Sequence, residues 1–191
     1  LSKYARSKIE VERSLQPLSA DDFQVTCLRF ATACGFSPRW RTDLVLNELV
    51  LDAVCDGRFK VLSDGTPWRP LIHIRDMSRA VLWALTDRQK ERDPFLTINV
   101  GSDRWNFQVK DLAEAIAREI PSSFIEWNEH GKPDPRSYRV DFSLFKSLAP
   151  KHQPEYSLSR TIAEMAAGVL ATDLRTPQRF SMRRLDELRA L

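Results

Sequence analysis

A tyrosine and a lysine stand four residues apart near the start of the chain, in the stretch Tyr4-Ala-Arg-Ser-Lys8. In an α-helix, residues i and i+4 project from the same face, so the phenol and the ammonium would lie side by side. A nearby cation favours the phenolate over the phenol, and a phenolate can accept a proton from a hydroxyl group. The alternative is a partly buried tyrosine beside a solvated lysine, and the pair alone does not separate the two.

The elements that would position this pair alternate between strand and helix. Apolar periodicity and turn residues predict the helices at 2–16, 43–55, 76–85, 108–119 and 157–170, and the strands at 23–30, 58–63, 71–74, 95–100 and 123–127, with an extended stretch at 138–142. Such βα alternation predicts an α/β protein with parallel strands. Residues 175–191 read as a basic amphipathic helix that closes the domain. Asp76 is expected to cap the helix that it begins.

Composition bounds the function class. The chain has 191 residues, 42% hydrophobic and 29% charged, which is typical of a soluble domain with a real core. The formal net charge of +3, without a Lys/Arg run, does not favour a nucleic-acid partner. No apolar run is long enough to span a membrane. We therefore expect neither nucleic acid nor membrane as a partner.

The three cysteines, Cys27, Cys34 and Cys55, show no metal-ligand spacing. An odd number without a CxxC or a Cys/His pattern indicates neither a disulfide framework nor a zinc site. We expect no metal, and the reducing cytoplasm is the natural location.

One motif is missing. An α/β nucleotide-binding fold begins with a strand, a glycine-rich turn and a helix that cradles phosphate. The chain has six glycines, and none of them form such a turn. Either the protein is of another type, or the sequence is the C-terminal part of one.

Five stretches together resemble one family. They are YARSKIEVE at 4–12, LRFATACGFSPR at 28–39, DGTPWRPLIHIRDMSRAVLWAL at 64–85, INVGSDRWNFQVKDLAEAI at 98–116 and DPRSYRVDFS at 134–143. In order and spacing they are similar to the C-terminal half of the extended short-chain dehydrogenase/reductase family, the NAD-dependent nucleotide-sugar epimerases and dehydratases. The resemblance implies a Rossmann-type fold whose N-terminal glycine-rich βαβ part is absent from this chain. It also implies a division: residues 1–42 end the NAD-binding domain, and 43–191 are mainly a nucleotide-sugar-binding region from which 71–100 returns to the Rossmann sheet.

The resemblance assigns catalytic and cofactor roles. Tyr4 is expected to exchange a proton with a sugar hydroxyl, and Lys8 to favour the phenolate and hold the nicotinamide ribose. The backbone at Phe30, Ala31 and Ala33 is expected to line the nicotinamide. The cofactor is expected to be NAD, although NADP is not excluded, because the residue that selects between them lies upstream in the family.

The resemblance also implies a substrate site. Thr32 stands where several relatives carry a substrate-contacting Asn, so that contact departs from the pattern. Asn47 lies where the family often meets the diphosphate, with a solvent-facing helix residue as the alternative. Phe59 and Val61 belong to FKVL at 59–62, which matches the segment that packs the nucleobase and equally reads as an ordinary strand.

Two arginines complete the expected substrate site. Arg69 offers paired donors that fit phosphate geometry and keeps its charge, and Arg136 resembles the second diphosphate-binding arginine of the family. Two guanidinium groups that converge on one pyrophosphate would bind it without a metal. For each arginine the alternative is a surface ion pair.

The resemblance implies an NAD-dependent epimerase or dehydratase that acts on a nucleoside-diphosphate sugar through transient hydride transfer and a keto-sugar intermediate. A homodimer is expected by analogy. The residues supplied here are expected to be inactive alone, because the Ser or Thr that assists the tyrosine in the family lies upstream. Two alternatives stay open: a non-catalytic nucleotide-sugar-binding relative, and an NAD(P)-dependent reductase of a non-sugar carbonyl.

Overall fold

The fold is taken from a computed structural model, which describes residues 3–38, 40–86, 93–128, 130–132, 134 and 136–172. The helix predicted at 175–191 lies outside the described residues. The helices are α1 Lys3–Leu15, α2 Val45–Asp56, α3 Ile74–Thr86, α4 Val109–Glu119, α5 Ser143–Leu148 and α6 Leu158–Ala171. The strands are β1 Val25–Phe30, β2 Thr32–Cys34, β3 Arg58–Val61, β4 Trp68–His73, β5 Phe95–Val100, β6 Asn106–Gln108 and β7 Phe124–Trp127.

Parallel pairing dominates the sheets. β1 pairs with β5, β2 with β4 and β3 with β7, all in parallel, and β6 adds to β4 in the antiparallel sense. The predicted α/β class with parallel strands is confirmed. The short β2 and β6 were not predicted, because three-residue strands carry too little periodicity to be recognised.

The chain changes partner strand at Ala31. Up to Phe30, β1 pairs with β5, and Phe30 stands opposite Val100. From Thr32 onwards, β2 pairs with β4 instead. The N–H of Ala31 still donates to Val100 O at 3.0 Å. Side chains at this point therefore lie where two strand pairs diverge, which is where open α/β sheets leave a crevice.

Two hydrophobic clusters form the core. The larger cluster joins α2, α4 and α6 to β3, with Leu46, Phe59, Leu112 and Ile162 buried in it. The smaller joins β4, α3, β5 and α5. β4, α3 and β5 thus pack together with β1. The division of the chain at residue 42 stays a proposal.

One expected strand begins later than predicted. The strand predicted from Phe23 begins at Val25, and Phe23 is 57% exposed. The stretch at 138–142, which was predicted as extended, pairs with no strand, and the Asn106 side chain bonds its backbone instead. Its Nδ2 donates to Val140 O and its Oδ1 accepts from Val140 N, both at 3.0 Å.

Gly35 ends β2 in a conformation that other residues rarely adopt. Its φ is 119°, and a Cβ there would lie 2.7 Å from Nε2 of the buried His73. Both facts require glycine at this turn. The chain leaves β2 here and enters the loop that leads to α2.

Asp76 does not act as a helix cap. It is 1% exposed, and its carboxylate accepts from the N–H groups of Glu155 and Tyr156 at 3.1 and 3.2 Å. It therefore ties the start of α3 to the loop before α6. Because Asp76 bonds backbone groups that are distant in the sequence, the local sequence pattern could not reveal this role.

We expect Asp76→Ala to lower the free energy of unfolding by roughly 1–3 kcal/mol, because the buried N–H of Tyr156 loses its acceptor. Urea-induced unfolding measures this change. Asp22→Ala, at an exposed position, is the control and should leave the stability within about 0.5 kcal/mol of the wild type. Equal urea midpoints for the two variants would contradict a stabilising contact between α3 and the loop before α6.

Candidate active site

Tyr4 and Lys8 lie next to each other on α1. The Nζ of Lys8 is 5.4 Å from the centroid of the Tyr4 ring, as the four-residue spacing on a helix predicts. The Tyr4 side chain is 72% exposed, so its hydroxyl is accessible to a ligand. Both residues line a cavity of about 850 Å³.

The same cavity is lined by the chain at the strand switch. Phe30, Ala31, Thr32 and Ala33 all border it. Ala31 is 7% exposed, and the small side chains of Ala31 and Ala33 leave its wall open to a flat group. The structure therefore brings the predicted catalytic and cofactor residues to one cavity.

A second cavity, of about 400 Å³, adjoins the first. Of the residues predicted to bind substrate, it is lined by Thr32, Val61, Arg69 and Arg136. Thr32, Leu44 and Tyr138 line both cavities. The two volumes therefore meet at these three residues, with the phenol and ammonium on one side and the guanidinium groups on the other.

Arg69 is held firmly in the wall of the second cavity. Its side chain is 14% exposed. Nη1 donates to Trp68 O and Arg136 O, both at 2.9 Å, and Nη2 donates to Asp134 Oδ2 at 2.7 Å. A guanidinium has five N–H donors, so three bonds to the protein leave two for a ligand.

Arg136 shares the carboxylate that Arg69 uses. Its Nε donates to Asp134 Oδ1 at 3.0 Å and its Nη2 to Oδ2 at 2.8 Å, while its backbone N–H donates to Oδ1 at 2.9 Å. Its side chain is 82% exposed. The hydrogen bonds from Arg136, with further help from Arg69, lower the pKa of Asp134 to about 2. The two guanidinium groups thus converge, but on a carboxylate of the chain itself.

Two predicted substrate residues lie away from both cavities. Asn47 is 3% exposed and its Nδ2 donates to Arg41 O at 3.1 Å, so it braces the loop before α2 and is not a solvent-facing residue. Phe59 is 2% exposed and belongs to the larger core cluster. Lys60 and Leu62 line the second cavity, and so does Val61, which is buried on the same face of β3 as Phe59. The prediction that Phe59 contacts substrate therefore needs correction.

The sequence analysis missed three contributors to the second cavity. Asp134 orients both arginines, and Tyr138 stands at the junction of the two cavities. The start of α2 at Leu44 and Val45 also lines the second cavity. Leu44, which precedes the helix, has no side-chain oxygen and makes no capping hydrogen bond. Apolar residues at a helix start give no sequence signal for such a role.

The structure was also searched for metal and membrane features. In the described ranges, no three His, Cys, Asp or Glu side chains come together as metal ligands would. Every helix within the described part of the chain is too short or too polar to traverse a lipid bilayer.

Comparison with known families gives one match. The model of the NAD dependent epimerase/dehydratase family matches residues 1–101, which is more than half of the chain. The matched part includes both Tyr4 and Arg69, whereas Asp134, Arg136 and Tyr138 lie beyond it.

Solved structures share the fold at low sequence identity. A UDP-glucose-4-epimerase from Stenotrophomonas maltophila, with bound NAD and formylated UDP-arabinopyranose, is 20% identical with a TM-score of 0.72, over 92% of this chain and 57% of that one. An ADP-L-glycero-D-manno-heptose-6-epimerase from Helicobacter pylori is 17% identical with a TM-score of 0.68, over 88% and 51%. A UDP-glucuronic acid 4-epimerase from Bacillus cereus, in complex with UDP-glucuronic acid and NAD, is 22% identical with a TM-score of 0.61, over 75% and 44%. The chain therefore spans about half the length of the structures that it matches.

The ion pairs of Asp134 predict how Asp134→Asn alters stability with pH. Because the folded pKa lies near 2 and an unfolded aspartate titrates near 4, the stability that the carboxylate contributes is complete above about pH 5 and is lost as the pH falls from about 4 to 2. The wild type should exceed Asp134→Asn in free energy of unfolding by a constant amount from pH 5 to 8, and the difference should shrink below pH 4. Urea unfolding across this pH range measures it. A difference that persists unchanged at pH 2 would contradict the role of the carboxylate.

Proposed function

This chain belongs to the NAD dependent epimerase/dehydratase family, and we propose that the whole protein is an NAD-dependent epimerase or dehydratase of a nucleoside-diphosphate sugar. One observation carries the proposal: the cavity with Tyr4 and Lys8 shares the lining residues Thr32, Leu44 and Tyr138 with the cavity that holds Arg69 and Arg136. A ligand that spans both would place a sugar hydroxyl near the phenol and its diphosphate near the guanidinium groups.

The first cavity fits part of a dinucleotide cofactor. Its volume of about 850 Å³ lies in the range of small-molecule sites. Lys8 and Tyr4 would hold the ribose hydroxyls, and the backbone from Phe30 to Ala33 would line the nicotinamide. When bound, NAD would accept a hydride from the sugar carbon and later return it, which makes a keto sugar the intermediate.

Tyr4 is proposed as the proton-transfer group. Its exposed hydroxyl would remove the proton from the sugar hydroxyl as the carbon is oxidised, and would return it when the carbon is reduced. The Lys8 ammonium over the ring stabilises negative charge on the phenol oxygen during this transfer. Thr32 and Tyr138 line both cavities and are proposed to contact the sugar between the two ends.

Arg69 and Arg136 are proposed to bind the diphosphate. Arg69 is fixed by three acceptors and keeps two donors for the ligand, whereas the exposed Arg136 is able to turn towards it. The start of α2 adds N–H donors at the same cavity. An anchored diphosphate fixes the position of the sugar relative to Tyr4, which is the orientation effect that proton and hydride transfer require. Val61 and the neighbouring Lys60 and Leu62 are proposed to border the nucleobase.

The proposal extends to assembly and completeness. We propose a cytoplasmic homodimer that pairs through α1, which has no buried residue along its fully described length and exposes Val11. We also propose that residues 1–191 alone are inactive, since about half of the length of the similar structures has no counterpart here.

Two other functions make different predictions. A non-catalytic relative would bind the nucleotide sugar without hydride exchange, and the Tyr4–Lys8 pair speaks against it. An NAD(P)-dependent reductase of a non-sugar carbonyl would not need Arg69.

The direct test uses the full-length protein. We expect NAD to copurify with it, detected by extraction and absorbance. We also expect deuterium placed on the ring carbons of a nucleoside-diphosphate sugar to pass to the bound NAD as the carbon is oxidised, with UDP-glucuronic acid tried first because a similar structure contains it. Bound NAD that gains no deuterium from any of a panel of labelled sugar nucleotides would favour the non-catalytic alternative.

Tyr4→Phe should lower kcat by about 10²–10⁴-fold, because the proton-transfer group is lost while the ring remains. The amount of copurified NAD should stay near that of the wild type. Steady-state kinetics on the full-length variant measures the effect. Tyr156→Phe removes a phenol outside both cavities and serves as the control, with kcat expected near the wild-type value.

Arg69→Lys should raise KM for the nucleoside-diphosphate sugar by roughly 10–100-fold, since a lysine cannot supply the paired donors to phosphate. Thermal unfolding of the variant separates loss of binding from loss of folding. Arg58→Lys is the matched control, because Arg58 is exposed on β3, pairs with Glu126 and lines neither cavity. An unchanged KM at Arg69 would favour the reductase of non-sugar carbonyls.

A further inference from the structure

We propose that Glu12 and Arg29 form a positioning clamp that sets the distance between Tyr4 and the strand at the cofactor cavity. The inference rests on the proposed function of Tyr4. It concerns two residues that are outside the catalytic pair, one on α1 and one on β1, and both line the same cavity as Tyr4 and Lys8.

α1 buries no residue against the part of the chain that the structure describes. None of its thirteen residues is buried, and all of them are described. Tyr4 and Val11 are 72% and 52% exposed. Within this chain, a polar contact that joins α1 to the wall of the cavity therefore adds to few buried ones.

The Glu12–Arg29 pair supplies a contact with defined geometry. Arg29 Nε donates to Glu12 Oε1 at 2.7 Å, and Arg29 Nη2 donates to Glu12 Oε2. Two parallel bonds between planar groups fix orientation as well as distance. The side chain of Glu12 is 18% exposed, which limits competition by water.

The charges of the pair are stable over a wide pH range. The hydrogen bonds from Arg29 lower the pKa of Glu12, although burial opposes this. The same bonds raise the pKa of Arg29. The clamp is therefore fully ionised wherever the proposed reaction would be measured.

The position of the clamp gives it leverage on Tyr4. Tyr4, Lys8 and Glu12 follow one another at four-residue intervals and so share one side of the helix. At 1.5 Å per residue, Tyr4 lies about 12 Å along the axis from Glu12, so a tilt of about 10° moves it by roughly 2 Å. A misplacement of about 1 Å can cost on the order of 100-fold in rate, so a clamp at this distance matters for the chemistry.

The strand end of the clamp is rigid. Arg29 lies in β1, where it stands opposite Asn99 of β5, and its neighbour Phe30 lines the cofactor cavity. Sheet pairing thus fixes the backbone that carries the Arg29 side chain, which is 53% exposed, and the two bonds to Glu12 orient its guanidinium towards the helix. An ordinary exposed ion pair would contribute little to the stability of the fold, and its removal would not change kcat.

The test uses the full-length enzyme with Glu12→Gln, Arg29→Gln and the charge-exchanged double variant Glu12→Arg/Arg29→Glu. Each single variant should lower kcat by roughly 10–100-fold while KM for the sugar nucleotide changes little. The double variant should recover most of the lost kcat, because the ion pair is restored in reverse. Glu126→Gln, which removes the partner of Arg58, is the matched control and should leave kcat unchanged.

A second measurement does not depend on turnover. Amide hydrogen exchange in α1 should accelerate in both single variants and slow again in the double variant. If the wild type shows no hydride exchange, the proposed function fails while this measurement still tests the clamp. If the wild type is active, unchanged kcat in both single variants overturns the clamp. Loss of copurified NAD in Arg29→Gln without recovery in the double variant also overturns it, since Arg29 would then contact the cofactor directly.

Discussion

The change of partner strand at Ala31 is the constraint on which both cavities depend. The chain runs on from β1 into β2 almost without interruption, but it leaves β5 and joins β4. Parallel strands that diverge in this way open a crevice, and the residues at the fork must line it. Thr32 consequently borders both cavities, and a ligand that reaches from one to the other has to pass it.

Electrostatics then divides the crevice into two environments. On one side, a single ammonium lies over an exposed phenol. On the other, two guanidinium groups share one carboxylate, so the local charge of these three groups is positive by one unit. Asp134 makes it possible to bring the two cations together in the absence of a ligand, since without it like charges would repel each other in a partly buried wall. The proposed diphosphate would offer the same kind of acceptor at the same place.

The parts of the site that depend on local sequence were predictable, and the others were not. The proximity of Tyr4 and Lys8 follows from helix geometry alone, and the helices and longer strands predicted within the described residues formed close to their predicted bounds. The choice of Phe59 on β3 was wrong because apolar alternation shows which residues share a face, but not how far along that face a cavity extends: Val61, on the same face, does border the second cavity. Asp134 was missed because its partner Arg69 is 65 residues away, and only the folded chain joins them. Asp76 was predicted to cap its own helix for the same reason, although its carboxylate accepts hydrogen bonds from backbone N–H groups that are distant in the sequence.

The segment around Arg136 and Tyr138 is held by separate hydrogen bonds to β4 and to Asn106, and its described residues belong to no β-sheet. Ser137 Oγ accepts from Trp68 N, Tyr138 N donates to Trp68 O, and Asn106 holds Val140 through its side chain. Insertions or exchanges between these attachment points leave every strand ladder intact. Exchanges in this one loop would therefore reshape the wall of the second cavity, with the folding of the remainder insulated from the change.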